Sequence, residues 1–193
     1  MSNPQTDIET IKALLRPETD LEHIILQQPD FQRGLHWGLP RFGHPEGKIL
    51  YHIREVLDNV EKLNISSDMS RQLRLITFVH DTFKNIEHKG KPRDWTRHHA
   101  VLARKFMEQF TDEKAVLDVI ELHDEAYYSW RYQYLYKNKE KGERRLARLL
   151  EKIGDNMQLY YLFFKCDTRT GDKIQTPLQW FEANIKNIEI VDF

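Results

Sequence analysis

The 193-residue sequence contains a single cysteine, Cys166, and this scarcity limits the chemistry that the chain can support. One thiol can form no internal disulfide and cannot build a cysteine-based zinc site. No apolar run approaches the ~20 residues of a membrane span, and the densest stretch, residues 159–166, is far too short. The polar start, residues 1–7, lacks the basic-then-apolar layout of a secretion signal. These absences predict a soluble, cytoplasmic protein.

Neither sign of charge predominates in this sequence. It has 29 lysines and arginines against 30 aspartates and glutamates, which gives a formal net charge of -1 at pH 7. This balance argues against nucleic acid as the main partner, because proteins that neutralise phosphates carry an excess of cations. The length and the 40% hydrophobic content favour one domain with a substantial core, spanning residues 1–193.

Apolar residues recur with helical spacing along most of the chain. The stripe that begins at Ile49 continues with Ile53, Val56, Leu57 and Val60, which fits a period of 3.6 residues. Similar stripes begin at Leu73, Leu102, Val116, Leu146 and Tyr160. Strand signals are weak, and the best of them, residues 188–193, is equally consistent with a short tail. The pattern predicts an all-α fold, a bundle of about six or more helices.

Three stretches interrupt the helical patterns and are predicted to be loops. They are the Gly/Pro-rich residues 28–48, residues 88–94 and the charged residues 137–143. The first contains Gly43-His44-Pro45-Glu46-Gly47-Lys48, which looks faintly like a phosphate loop. It has one residue too few between its glycines, and Ile49 stands where a Ser or Thr would hold magnesium. A His-Glu-x-x-His motif, a Gly-x-Ser-x-Gly elbow and a dinucleotide Gly-x-Gly-x-x-Gly are also absent from the sequence.

Several of the nine histidines lie on the predicted apolar stripes. Residues three and four apart share a helix face. By this rule four histidines and one distant aspartate lie on or beside the inward faces of predicted helices. They are His52, His80, His98, His123 and Asp167. Asp81 directly follows His80. Taken singly, an inward histidine is most simply a hydrogen-bonded core residue. Because several buried acids and imidazoles are costly without partners, we predict that separate helices bring them to a shared cation.

The order of His52, the His80-Asp81 pair and Asp167 resembles the HD superfamily of metal-dependent phosphohydrolases. Residues 44–52 also resemble the entry to the HD domain of CCA-adding tRNA nucleotidyltransferases, and residues 80–84 resemble the family's HD-x-x-Lys run. The resemblance covers residues 43–171. It implies an HD-domain-like helical bundle, preceded by N-terminal helices and a loop and followed by a C-terminal helix or tail.

The resemblance also implies one or two divalent metal ions. The implied ligands of the first ion are His52, His80, Asp81 and Asp167. His98 and His123 match the ligands of a second ion, with Asp81 as the bridge. Nitrogen and carboxylate ligands together do not choose among Mn, Fe, Co, Ni, Mg and Zn.

Two positions depart from the family's pattern. Some two-metal members have a His-His pair where this chain has His123-Asp124. Some single-metal nucleotidases have a glutamate where this chain has Lys84.

The implied activity is hydrolysis of a phosphomonoester or phosphodiester, in the simplest case a nucleotide. Asp81 and Lys84 are the candidate catalytic residues, and Lys84, Arg41 and Arg169 are the candidate phosphate-binding residues. The aromatic segment 127–136 is expected to be a packed helix or partner interface, which is compatible with a homodimer, rather than a surface that stacks on a nucleobase. The alternative is a non-catalytic HD-fold metal-binding module with a signalling, nucleic-acid-binding or partner-binding role.

Overall fold

The computed structural model describes residues 4–193, with side chains from residue 8 onward. Within that range the chain forms eleven α-helices and three short 3-10 helices, and it contains no strand, which confirms the all-α prediction. The α-helices are α1 (Pro4–Leu15), α2 (Asp20–Leu26), α3 (Pro29–Leu35), α4 (Ile49–Val60), α5 (Ser67–Val79), α6 (His99–Met107), α7 (Lys114–Leu122), α8 (Glu125–Tyr134), α9 (Lys139–Ile153), α10 (Met157–Thr168) and α11 (Thr176–Asn184). The 3-10 helices are Thr82–Asn85, Trp95–Arg97 and Gly154–Asn156.

The prediction of a loop over residues 28–48 is wrong in its first part, which forms α3. Pro29 begins this helix, where its fixed φ is favourable and its missing N–H is not needed. Gly34 lies inside the helix because the backbone of Thr82 passes close to it: a Cβ at residue 34 would lie 2.0 Å from the Thr82 carbonyl oxygen. The proline and glycine therefore mark a helix start and a close packing contact, and not a turn.

The prediction of a loop over residues 137–143 is also wrong, because α9 begins at Lys139. The side chain of Asn138 accepts a hydrogen bond from the Lys141 backbone N–H and caps this helix. The amphipathic α9 keeps charged residues on its outer face, which explains why its first turn resembles a solvated loop in the sequence.

The core is organised around α10, which contacts α4, α5 and α7. Every residue from Leu159 to Cys166 is buried. The dense apolar run noted in the sequence is therefore a central helix that is covered on all sides. Within residues 4–193, no helix is long and apolar enough to cross a membrane.

The C-terminal segment 188–193 is an irregular tail that lies against α10. The Gln158 side chain bonds the Glu189 backbone through both its amide nitrogen and its oxygen, at 2.9 and 2.8 Å. The tail therefore follows the packed surface of α10 without forming a strand.

A buried ion pair fixes α2 against α5. The Arg74 guanidinium donates to both carboxylate oxygens of Glu22, at 2.9 and 3.1 Å, and also to the Arg16 carbonyl oxygen at 2.8 Å. Arg74 and Glu22 are 2% and 0% exposed. Glu22 also accepts from the Thr19 backbone N–H in a capping box, so one carboxylate joins the start of α2 to the side of α5.

Replacing Arg74 by methionine will leave the Glu22 carboxylate buried without its partner. We expect Arg74→Met to lower the free energy of unfolding by about 3 kcal/mol, because an uncompensated buried charge is strongly destabilising. Urea denaturation followed by circular dichroism measures this change. The exposed Arg144→Met variant is the control, with an expected change below about 0.5 kcal/mol. Equal midpoints for the two variants would contradict this account of the pair.

Candidate metal centre

The ends of four helices meet at one buried centre. His80 and His123 directly follow the last residues of α5 and α7, Asp167 lies in the last turn of α10, and His52 lies in the first turn of α4. Asp81 follows His80 before the 3-10 helix Thr82–Asn85 begins. The sequence prediction that separate helices bring these groups together agrees with this arrangement.

The first group of side chains comprises two imidazoles and two carboxylates. The His52 Nε2 lies 3.4 Å from the His80 Nε2 and 2.9 Å from the Asp167 Oδ1. The Asp81 Oδ2 lies 3.6 Å from the His80 Nε2 and 3.7 Å from the His52 Nε2. A tetrahedral ion with bonds of ~2.1 Å holds its ligand atoms about 3.4 Å apart. His52, His80 and Asp81 therefore have the spacing of a metal ligand set, with ligand atoms within 4.8 Å of one another, and Asp167 approaches this set through its contact with His52.

The second group uses the other oxygen of Asp81. The Asp81 Oδ1 lies 3.4 Å from the His99 Nε2 and 3.5 Å from the His123 Nε2, and these two nitrogens are 3.3 Å apart. The Asp124 Oδ2 lies 3.4 Å from the His99 Nε2 and 3.7 Å from the His123 Nε2. Asp124 occupies the position at which some two-metal family members have the second histidine of a His-His pair. Its oxygen lies beside both histidines of the second group and adds a fourth possible ligand atom to Asp81, His99 and His123.

Asp81 is the residue that the two groups share. Its side chain is only 3% exposed, and within the described part of the chain its Oδ1 has no hydrogen-bond partner. A buried, unpartnered carboxylate oxygen is costly unless a cation satisfies it. The residues present therefore fit one or two metal ions, and the two groups could hold them on either side of Asp81.

The sequence prediction placed His98 in the second group. In the structure His99 lies with Asp81 and His123, whereas His98 forms a separate group of possible metal ligands with His99 and Glu87. His98 precedes the first residue of α6, and its Nδ1 accepts from the Ala100 backbone N–H at 3.3 Å. Its Nε2 lies 3.5 Å from the Glu87 Oε1 and 3.9 Å from the Asp124 Oδ2. Spacing alone does not distinguish adjacent histidines at a helix start, because it does not record which of the two caps the helix and which faces inward.

Backbone carbonyls orient two of the four imidazoles. The Nδ1 atoms of His80 and His123 lie 2.9 and 2.8 Å from the carbonyl oxygens of Thr77 and Ile120. A carbonyl oxygen can only accept, so in each ring the Nδ1 carries a hydrogen and a neutral ring presents the lone pair of its Nε2 to the centre. This is the orientation that a metal ligand requires.

Carboxylates face the outer nitrogens of the other two imidazoles. The His52 Nδ1 lies 3.2 Å from the Glu46 Oε1, and the His99 Nδ1 lies 3.4 Å from the Glu87 Oε1. Such second carboxylates orient metal-binding histidines and increase their basicity. Neither glutamate could be found from the sequence, because neither lies on an apolar stripe or belongs to the pattern of His52, His80-Asp81 and Asp167.

Two lysines pair with the carboxylates of the centre. The Lys84 Nζ lies 2.5 Å from the Asp81 Oδ2, and the Lys173 Nζ lies 2.9 Å from the Asp167 Oδ1. Burial by itself would raise the pKa of both carboxyl groups, but the charges of these lysines hold each pKa well below its usual value. Both aspartates are therefore ionised and available as ligands at neutral pH.

The imidazoles of the centre have strongly different proton affinities. Burial, together with the charge of His123, lowers the pKa of His80 to about 3 although Asp81 opposes this shift. Burial also disfavours the charged form of His123, but the carboxylates of Asp124 and Asp81 outweigh it and raise its pKa to about 9. Without an ion, His123 is therefore protonated at neutral pH and His80 is not.

The centre opens into a cavity of about 430 Å³. Its lining combines residues of both groups with cations and with aromatic and apolar side chains. The principal lining residues are Asp81, His123, Asp124, Asp167, Arg41, Phe42, Lys84, Tyr127, Arg131, Lys173 and Ile174. Two of the candidate phosphate-binding residues, Lys84 and Arg41, thus line the same cavity as the metal-ligand groups.

Arg169, the third candidate, lies outside this cavity. Its exposed guanidinium donates to the Phe193 carbonyl oxygen and lies 5.2 Å from the centre of the Phe193 ring. The structure therefore places Arg169 against the C-terminal tail and not among the residues that line the cavity.

The aromatic segment 127–136 lies mostly within α8, which packs against α9, and runs two residues past the end of this helix. The prediction of a packed helix describes most of it, including the buried Trp130. Tyr127 instead lines the cavity, so one ring of the segment is placed where a substrate could contact it.

Comparison with family models, curated proteins and solved structures finds no match to this chain. The geometry of the site itself is therefore the basis for a functional proposal.

His99 and His98 provide a direct test of the second group. We expect His99→Ala to lower the affinity for a second divalent ion by at least about tenfold, because it removes a ligand atom. We expect His98→Ala to keep the ion and to lose about 1 kcal/mol of stability with the helix cap. Equilibrium dialysis with elemental analysis measures the bound metal, and thermal unfolding measures the stability. A larger metal loss in His98→Ala would contradict the assignment.

The affinity for a divalent ion should depend on pH through His123. Because the pKa of His123 is higher in the fold than in the unfolded chain, its protonation stabilises the ion-free protein. This contribution is complete below pH 6.5, the pKa in the unfolded chain, and is lost as the pH rises through about 9. An ion must displace this proton, so the affinity for Mn²⁺ should increase across the same window. Calorimetric titration in buffers of different ionisation enthalpy measures both the affinity and the protons released. Constant affinity with no proton release would show that His123 is not a ligand.

Proposed function

We propose that this protein is a divalent-metal-dependent phosphohydrolase that acts on a small phosphate ester. The observation that carries the proposal is the position of Asp81, which lines a cavity that also contains lysines and arginines, and whose two oxygens each face a pair of imidazoles. The arrangement combines a metal-ligand set with lysines able to bind a phosphate, and it places both at the same opening.

Two ligand sets support the metal requirement. One ion would be held by His52, His80, Asp81 and Asp167, and a second by Asp81, His99, His123 and Asp124. Divalent ions bound in this way lower the pKa of water and polarise a phosphoryl oxygen. Imidazole and carboxylate donors accept Mn, Fe, Co, Ni, Mg or Zn, so the donor set does not specify the element.

The role of the lysines follows from their position beside the carboxylates. Lys84 and Lys173 line the cavity and already pair with Asp81 and Asp167. With the aspartates serving as metal ligands, both ammonium groups would be free to bind phosphoryl oxygens and to stabilise the charge that develops there. Lys84 thus has a binding role in place of the general-base role of a glutamate.

The order of the ligands supports membership of the HD superfamily. Of the residues that the resemblance assigns to the first ion, His52, His80 and Asp81 have the spacing of metal ligands, and the Asp167 Oδ1 lies 2.9 Å from the His52 Nε2. A nucleotide is the simplest substrate, because Tyr127 offers an aromatic face in the same cavity as the cations.

The test is a hydrolysis assay joined to metal analysis. Protein purified without added metal is assayed for bound ions and then for turnover of p-nitrophenyl phosphate, bis-p-nitrophenyl phosphate and a nucleotide panel. Asp81→Asn should lose both metal and at least about 100-fold in kcat/KM, since it removes ligands from both groups. Asp155→Asn, at an exposed acid outside the site, is the control and should retain both. Full activity in Asp81→Asn would refute the proposal.

One observation favours a second candidate, a metal-binding module without turnover. Lys84 and Lys173 form ion pairs with both acids of the first group, so the negative charge of these two acids is compensated without a metal ion. In that case Asp81→Asn would lower metal content and stability, while wild-type protein would hydrolyse none of the esters. The same assay therefore separates the two candidates.

A further inference from the structure

The cavity beside the candidate metal centre contains more positive groups than the acids of the centre require. Four lysine and arginine side chains and three aspartates line it. Lys84 and Lys173 pair with Asp81 and Asp167. The other two cations are Arg41 and Arg131, and among the described residues no carboxylate lies within ion-pair distance of either guanidinium.

Arg41 is presented by a well-defined turn. Its N–H and carbonyl oxygen both bond the backbone of His44, at 3.0 and 2.8 Å. Gly43, at φ +81°, closes this turn in a conformation that other residues rarely adopt, and its N–H donates to the Asp172 Oδ1 at 2.5 Å. The backbone of Arg41 is thus tied both to the loop that carries Glu46 and to the segment after α10.

Arg131, on α8, is held against two tyrosine rings. Its guanidinium carbon lies 4.8 Å from the centre of the Tyr136 ring and 6.0 Å from that of Tyr127. The side chain is half-buried and lines the cavity. Stacking of this kind leaves the edge of the guanidinium, with its N–H donors, free to bind an anion.

We propose that Arg41 and Arg131 form a second anion subsite, which binds a phosphate group other than the one that is hydrolysed. This proposal rests on the proposed function in one respect: the proposed function identifies the phosphate group at the metal centre as the one that is hydrolysed. It names the substrate class: a small molecule with at least two phosphate groups, such as a nucleoside diphosphate or triphosphate.

The balance of charge in the cavity supports this substrate class. The aspartates are needed as metal ligands, and each bound ion adds further positive charge to a wall that already has a cationic excess. A single phosphate offset by Lys84 and Lys173 leaves both arginines without an anion. A second phosphate matches them, because the guanidinium fork binds phosphate oxygens in pairs.

Solvated arginines without partners are common on protein surfaces, so exposure alone would carry no weight. The distinguishing feature is that both arginines line one cavity of about 430 Å³, together with Asp81, His123 and Tyr127. That volume lies within the ordinary range for small-molecule sites.

The experiment compares AMP, ADP and ATP as ligands of the full chain. Calorimetric titration of the Mn²⁺-loaded protein with their non-hydrolysable phosphonate analogues prevents turnover and measures binding alone. We expect ADP or ATP to bind at least tenfold more tightly than AMP. Arg41→Gln and Arg131→Gln should each reduce this preference, and the double variant should abolish it. Arg144→Gln, which removes an exposed arginine on α9, is the matched control and should retain the preference.

A kinetic readout complements the binding data. If the metal-loaded protein hydrolyses ADP or ATP, the ratio of kcat/KM for that nucleotide to kcat/KM for p-nitrophenyl phosphate should fall at least tenfold in the double variant. Equal affinity for AMP, ADP and ATP, or a preference that survives in the double variant, would overturn the subsite. Preferential binding without turnover of any ester would leave the subsite standing and refute only the phosphohydrolase.

Discussion

The buried carboxylate of Asp81 is the constraint on which the rest of the site depends. It is ionised, nearly inaccessible to water and placed between two pairs of imidazoles, and one of its oxygens has no hydrogen-bond partner among the residues described. An isolated charge in such a place would be prohibitively costly. The surrounding fold therefore has to supply positive charge to both sides of this one side chain.

Helix ends make that arrangement possible. His80 and His123 follow the last turns of α5 and α7, where the carbonyl oxygens of Thr77 and Ile120 fix the outer nitrogen of each ring. The helix α10, buried from Leu159 to Cys166, contacts α4, α5 and α7 and brings Asp167 to the same point. Rigid backbone elements thus orient the donors, and the cavity, with its lysines and arginines, opens on the side that the helices leave uncovered.

The sequence predicted the helical architecture because helices depend on periodicity, which also placed His52, His80 and Asp167 on or beside inward faces. The assignment of these residues and Asp81 to one ion came from the resemblance to the HD superfamily. Residues on an apolar stripe face the core, and an ionisable residue on that stripe must find a partner there. The choice between His98 and His99 depended on which ring caps α6, which spacing does not record. The position of Arg169 depended on the path of the C-terminal tail, and Glu46 and Glu87 approach from irregular segments with no period at all. Pro29 and Gly34 were misread as loop signals because the start of a helix and a close packing contact use the same residues as a turn.

The central claim is that cations bind on both sides of Asp81. A crystal of the protein grown with Mn²⁺ and measured near the manganese absorption edge tests this claim most directly, because anomalous scattering locates the ions without reference to activity. The account predicts two anomalous peaks about 3.5–4 Å apart, one among His52, His80 and Asp167 and the other among His99, His123 and Asp124. A map with no peak at Asp81, in which Lys84 and Lys173 still pair with the aspartates, would contradict it.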